Sequence, residues 1–341
     1  MFSNQGTESG RSGKSSADRC RTGFTMAHPG LSGGSGNAVC GGLALLGALM
    51  TYSGCVEGAT VKRMRKTASE LGSDFAPEVL FAAVIEGVPA VEYQPIVRVE
   101  DGAIIGYEAL ARFSAWGRAI PPDQLFAALH CNPMLLHYAE WKCKAIQLAL
   151  APKNGLLFLN LEPDAWHQGQ CGNWVDPYLE LFAAARERLV VEIDESCHLH
   201  AATISGTLAE RLAERGIAVA IDDLTPTHGI ALRSLYQYAA FLKFDRAFLK
   251  EGSKRNPFFE HLFAAAKESG ATLVLEGVER AEDLSFAAAL GFDCVQGFYF
   301  ADRIVRKQGT TQLWRRLWRE RRACTGCQMT CAVRDEEVIG G

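Results

Sequence analysis

Eight short runs rich in β-forming residues recur between about residue 91 and residue 296, with helical stretches between most of them, and this alternation restricts the fold most. The runs are 91–99 (VEYQPIVRV), 103–112 (AIIGYEALAR), 155–161 (GLLFLNL), 189–194 (LVVEID), 217–222 (IAVAID), 240–244 (AFLKF), 271–276 (ATLVLE) and 292–296 (FDCVQ). Segments 176–186, 203–215, 258–269 and 280–290 space their apolar residues as helices do. Several runs are nearly continuous in apolar residues, as expected of parallel strands covered on both faces. Eight strands alternating with helices predict an α/β fold, a modified (β/α)8 barrel of the TIM type. Such a barrel takes roughly 250 residues, most of a 341-residue chain. An open doubly wound sheet is the alternative, but no Gly-rich phosphate loop follows any run.

The flanks read differently. Residues 1–37 are rich in Gly, Ser and polar residues without apolar period and are expected to be disordered. Residues 38–56 carry no charge and approach the ~20 apolar residues of a membrane span, but Gly, Ser, Thr and Cys dilute them. Arg11, Lys14, Arg19 and Arg21 upstream and Cys55 also suggest an export signal, for which the leader is too long. A weakly structured extension is the better reading, and a basic, then mixed, helical linker follows over 59–76. The expected division is an extension over 1–77, the barrel over 78–322 and a Cys-containing tail over 323–341.

An apolar fraction of 48% and a charged fraction of 22% suit a soluble globular protein. The net charge of −4 gives no broad electrostatic case for DNA, RNA or an anionic membrane. The 11 cysteines, odd and irregularly spaced, argue against a disulfide framework and for a reducing compartment. Cys324, Cys327 and Cys331 have no evident fourth ligand and read as free thiols.

Polar groups gather at or near the C-terminal ends of seven runs. They are Glu108 and Arg112, Asn160, Glu192 with Glu195 beyond, Asp222 with Asp223, Lys243, Glu276 with Glu279 beyond, and Gln296. Barrel active sites are built at that end. Any one of these residues is more simply a solvated loop residue or a helix cap. Lys243 is harder to dismiss, because an unpaired lysine in an apolar run is costly to bury. Carboxylates converging on one mouth would repel unless cations neutralised them, and all-oxygen ligands favour hard ions such as Mg²⁺ or Mn²⁺. No Ser/His/Asp or Cys/His arrangement is evident, and His198 and His200 read as surface residues.

The strings YQPIV (93–97), YEALAR (107–112), NLEP (160–163), VEIDES (191–196), IDD (221–223), LKFD (242–245), LEGVE (275–279) and VQGFYF (295–300) occur in this order. Together they resemble the EAL family of cyclic di-GMP phosphodiesterases over about residues 91–303. The resemblance implies hydrolysis of cyclic di-GMP to the linear dinucleotide pGpG with two Mg²⁺ or Mn²⁺ ions. It implies that Glu108, Asn160, Glu192 and Asp222 hold one metal, and that Asp222 bridges to a second held also by Asp223 and Glu276. Lys243 would hold or help activate the attacking water, with Glu279 and Gln296 in support. Arg112 would contact a substrate phosphate, and Gln94 would lie near a guanine. A homodimer is allowed, and a cytoplasmic ligand implies a cytoplasmic barrel.

One segment departs from the family pattern. After the Asp-Asp pair the family continues with a Phe-Gly-Thr-Gly-like loop, where this chain has LTPTHGIA over 224–231. Proline in place of glycine removes backbone freedom. In the family this loop links the metal site to the dimer interface, and Glu195 matches the residue that steadies it. The departure keeps a second reading open: a weak or inactive cyclic di-GMP receptor that signals through a protein partner.

Overall fold

A computed structural model describes residues 75–170, 176–194, 199–225, 235–248 and 257–324. The expectations for 1–74, including the uncharged segment 38–56, and those for Glu195, His198, Cys327 and Cys331 lie outside these residues. So does most of the departing loop.

Among the described residues ten strands form one sheet: β1 (Ala90–Arg98), β2 (Ile104–Ala115), β3 (Arg118–Ile120), β4 (Leu156–Asn160), β5 (Leu189–Asp194), β6 (Ala218–Leu224), β7 (Ala239–Phe244), β8 (Thr272–Leu275), β9 (Cys294–Gln296) and β10 (Val305–Gln308). Strands β2, β4, β5, β6, β7, β8 and β9 pair in that order, all parallel. Strand β1 pairs with β2 on one side and β9 on the other, which closes an eight-stranded ring. The closure rules out the open sheet.

Strand β1 runs antiparallel to both neighbours. A parallel connection needs a crossover of a dozen or more residues, and residues 99–103 are far too few. They form a hairpin turn in which Asp101 accepts from the Ala103 amide at 3.0 Å, with Gly102 at φ +70°. Strand β2 outruns the expected 103–112 because its end pairs with β3 in a further hairpin (Phe113 with Ile120). The other strands fall within two residues of the sequence expectation at each end.

Among the described residues the helices are α1 (Pro77–Leu80), extended by a wider turn over Phe81–Glu86, α2 (Pro122–Leu129), α3 (Pro133–Leu150), α4 (Pro163–Gly169), α5 (Pro177–Phe182), α6 (Leu199–Glu214), α7 (Pro257–Glu268), α8 (Ala281–Leu290) and α9 (Thr311–Cys324). Six of them begin on proline, whose fixed φ suits the first helical position and whose missing N–H is an orphan there anyway. Asn132 caps α3 by accepting from the Leu135 amide at 3.1 Å, and Asp176 caps α5 through the Tyr178 and Leu179 amides. No described helix is long and apolar enough to cross a membrane.

Side-chain alternation divides the core in two. Outward strand residues such as Leu157, Val191, Val219, Leu242 and Leu273 pack against helix residues that include Leu208, Leu212, Phe263 and Ala287. Each such buried aliphatic contributes roughly 1.5–3 kcal/mol. Inward residues Ile96, Phe158, Val190, Ala220, Phe241, Val274 and Cys294 form a separate apolar plug inside the ring. Phe158 and Phe241 meet edge to face at 4.9 Å. Gly106 faces Leu156 so closely that a Cβ would lie 2.7 Å from its carbonyl oxygen, which is why a side chain is missing there.

Candidate functional site

The plug is the floor of the site. Two residues beyond it on the parallel strands, the same alternation points Asn160, Glu192, Asp222, Lys243, Glu276 and Gln296 inward. On the antiparallel β1 the equivalent position is two residues earlier, at Gln94, which pairs in register with Glu108 of β2. These residues thus form one polar layer on an apolar one.

Lys243 is at its centre and wholly buried. Its Nζ lies 2.5 Å from Glu192 Oε1, 2.8 Å from Glu276 Oε1, 3.0 Å from Asp222 Oδ1 and 3.6 Å from Glu108 Oε2. Four carboxylates therefore share one ammonium. Burial works against the Lys243 charge, but Asp222, Glu108, Glu192 and Glu276 outweigh it and hold its pKa well above the lysine value. Burial, then Glu108, pushes Glu192 well above the glutamate value. Burial, then Asp222, does the same to Glu276, and burial raises Asp222. Glu108 alone goes down: burial opposes this, but Lys243, Gln296 and Asn160 together prevail. Asn160 Nδ2 donates to Glu108 Oε1 at 2.7 Å, and Gln296 Nε2 donates to Glu108 Oε2 and, at 3.3 Å, to Gln94 Oε1.

Successive residues of a regular strand point to opposite faces, yet Asp222 and Asp223 both reach the site. The β6–β7 register shifts between Ile221 and Leu224, and Asp223 adopts a left-handed φ of +53°. Aspartate tolerates that region better than most residues, and such bulges and strained φ values concentrate at functional sites.

The donor set fits divalent cations. Oxygens of Glu108, Glu192 and Asp222 lie within 4.8 Å of one another, and so do those of Asp222, Asp223 and Glu276, so Asp222 belongs to both triads. Glu192 Oε1 and Asp222 Oδ1 lie 2.5 and 3.0 Å from the Lys243 ammonium, and with Glu192 Oε2 they are buried and make no other hydrogen bond. Leaving carboxylate oxygens in that state is costly unless a cation takes them up.

Two predicted residues lie apart from the cluster. Arg112 is at the rim, where its Nη2 donates to Glu92 Oε1 at 2.9 Å. Glu279 is part-exposed and pairs with Arg246 at 2.6 Å, outside both triads. The sequence reading did not single out Glu92, which also binds Arg306 at 2.8 Å, or Arg246. It also passed over Glu140, Lys144 and Gln147 of α3, although polar residues spaced i, i+4, i+7 in an apolar helix were a readable signal. A cavity of about 370 Å³ opens beside the cluster and is bordered by Arg112, Asp123, Lys144, Gln147, Asn160 and Glu192. Another, of about 550 Å³, lies at the opposite end among Ile105, Leu156, Phe241 and Cys294, below the plug and away from the carboxylates.

Comparisons with known proteins bear on the family and the fold. The EAL domain family matches residues 80–303. The chain is 26% identical over 216 residues to the bifunctional diguanylate cyclase/cyclic di-GMP phosphodiesterase MucR of Pseudomonas aeruginosa, covering 60% of this chain and 32% of MucR. It is 27% identical over 223 residues to the cyclic di-GMP phosphodiesterase RocR of the same organism, covering 61% of this chain and 56% of RocR. The first of these matches thus spans about a third of its relative's length. Among solved structures, an EAL domain protein from Listeria monocytogenes aligns over 67% of this chain and 93% of its own, with TM-score 0.52 and 20% identity. The MucR phosphodiesterase in complex with c-di-GMP aligns over 67% and 96%, with TM-score 0.50 and 24% identity.

Proposed function

The chain belongs to the EAL domain family, and from that premise we propose that its barrel, residues 78–322, is a metal-dependent phosphodiesterase that hydrolyses cyclic di-GMP to pGpG in the cytoplasm. The observation that carries this reading is the layer of four carboxylates around one buried lysine, with Asp222 common to two triads. Relatives named as cyclic di-GMP phosphodiesterases support the substrate.

Glu108, Asn160, Glu192 and Asp222 would hold one ion, and Asp222, Asp223 and Glu276 the other, as Mg²⁺ or Mn²⁺. Such ions, when bound, lower the pKa of water and offset charge on phosphoryl oxygens. The chain's own residues do the rest. Lys243 would hold or help activate the attacking water, and its ammonium would counter developing negative charge. Gln296 and Asn160 fix Glu108 in place. Arg112 contacts a substrate phosphate, and Gln94 lies near a guanine. Glu279, held by Arg246, supports the loop beyond β8.

The test is incubation of the full chain with cyclic di-GMP and Mg²⁺ or Mn²⁺, followed by chromatography of pGpG, with Glu108→Ala as control. Metal-dependent conversion absent from the control is the expected result. The departing sequence over 224–231 favours a second reading, a receptor that binds without turnover. Nucleotide binding with no pGpG under either metal would replace the enzyme by that receptor.

A further inference from the structure

Helix α3 carries a buried polar stripe that the proposed chemistry does not use. Glu140, Lys144 and Gln147 are each less than 5% exposed, and their i, i+4, i+7 spacing puts them on one face. Leucine in any of the three places would suit an apolar helix better, so the polar choice needs a reason.

Glu140 and Gln147 end on backbone next to site residues, and Lys144 holds Glu140 in place. Glu140 Oε1 accepts from the Glu162 amide at 3.0 Å, two residues after Asn160, and pairs with Lys144 Nζ at 3.1 Å. Gln147 Nε2 donates to the carbonyl of Ala109, the residue after Glu108, at 2.5 Å. The Gln147 carbonyl, one of the last four in α3 and so without an intrahelical partner, accepts from the Tyr93 hydroxyl at 2.7 Å, next to Gln94. One rigid helix face therefore grips β1, β2 and the β4 loop beside Gln94, Glu108 and Asn160. Those three share one hydrogen-bonded network with Gln296.

We infer that Glu140, Lys144 and Gln147, with Tyr93 bonded to the end of the same helix, are positioning residues for the Glu108–Asn160 side of the metal centre. The inference rests on the reading of that cluster as a metal site. It gives α3 two roles on two faces, because Lys142 points away and binds the carbonyls of Val84, Ile85 and Gly87.

Mn²⁺ titration of the full chain, followed by calorimetry alongside melting of the metal-free protein, separates the roles. Gln147→Leu is expected to weaken Mn²⁺ binding about 10-fold, in line with other outer-shell partners of metal ligands. Tyr93→Phe removes only a hydroxyl and is expected to weaken it in the same direction by a smaller factor than Gln147→Leu, which keeps the test open should Gln147→Leu not fold. Lys142→Met is expected to lower the melting temperature with Mn²⁺ affinity unchanged. Unaltered affinity in Tyr93→Phe and in a folded Gln147→Leu would overturn the positioning role alone. Equal losses of affinity in all variants, Lys142→Met included, would reduce the stripe to general stability. Wild-type protein that binds no Mn²⁺ would remove the metal reading itself.

Discussion

Lys243 in the barrel and Lys142 in α3 are both almost fully buried, and they are buried in opposite ways. Lys142 Nζ donates to three backbone carbonyls, Val84, Ile85 and Gly87, at 2.7–3.2 Å and lies 4.9 Å from the Trp314 ring centre. Its partners are neutral dipoles from the end of the helical segment that precedes β1, where carbonyls favour a cation. Its three ammonium protons have three acceptors. Lys243 instead has four carboxylates in reach, and oxygens of Glu192 and Asp222 remain without a directed donor. One lysine is matched to its surroundings and joins two helical segments. The other leaves more negative charge than one ammonium balances, which bound protons or a further cation offset. Burial alone does not separate a structural lysine from a functional one; the balance of charge around it does.

The sharpest way to break this contrast is to exchange each lysine for methionine. Lys243→Met is expected to lower the rate of cyclic di-GMP hydrolysis by about 10³-fold or more, since preorganised charge acts directly on the transition state. A steady-state assay that finds less than a tenfold loss would leave the two lysines alike. Lys142→Met orphans three carbonyls and is expected to destabilise the fold by about 2–4 kcal/mol in urea unfolding, without changing nucleotide affinity.

Divalent ions sharpen the contrast further. Mn²⁺ at about 100 times its dissociation constant should stabilise the wild type by ~2.7 kcal/mol, and EDTA should reverse this. The same increment is expected in Lys142→Met and should be much reduced in Glu192→Gln, as thermal melts with and without Mn²⁺ will show.

The smallest effects are those of pH, and they have opposite signs. Glu192 and Glu276 have folded pKa values above the ordinary 4.5, so the folded metal-free protein binds more protons than the unfolded chain above that pH. Its stability should fall as pH rises above 4.5 through the raised values, and Mn²⁺ affinity should rise over the same interval. Burial lowers Lys142 to about 8 from the ordinary 10.5, so between these values the unfolded chain holds the extra proton. Stability from that group should increase with pH across the window. Urea titrations of metal-free protein across both ranges would test the signs, and Lys142→Met should abolish only the upper trend.

Much of this was legible in the order of residues. Alternation along a strand is local, so an apolar residue two places before each polar one, as in Phe158–Asn160, Val190–Glu192 and Phe241–Lys243, already assigns both to one face. Proline at helix starts and continuous apolar runs in β5, β6 and β8 are equally local, and they specify parallel strands alternating with helices. Closure was not local. It depends on β1 meeting β9 across some two hundred positions, Ile96 against Gln296, and on a short hairpin reversing β1 so that Gln94, not a residue at its end, faces the site. The bend at Asp223 that brings two neighbouring carboxylates to one side follows from the register shift against β7. Lys142 and Lys243 show the same division: one reads as a lysine in a mixed stretch of an apolar helix and the other as a lysine in an apolar run, and only the closed barrel decides which of them is surrounded by acids, because charge balance is a property of what distant segments bring together.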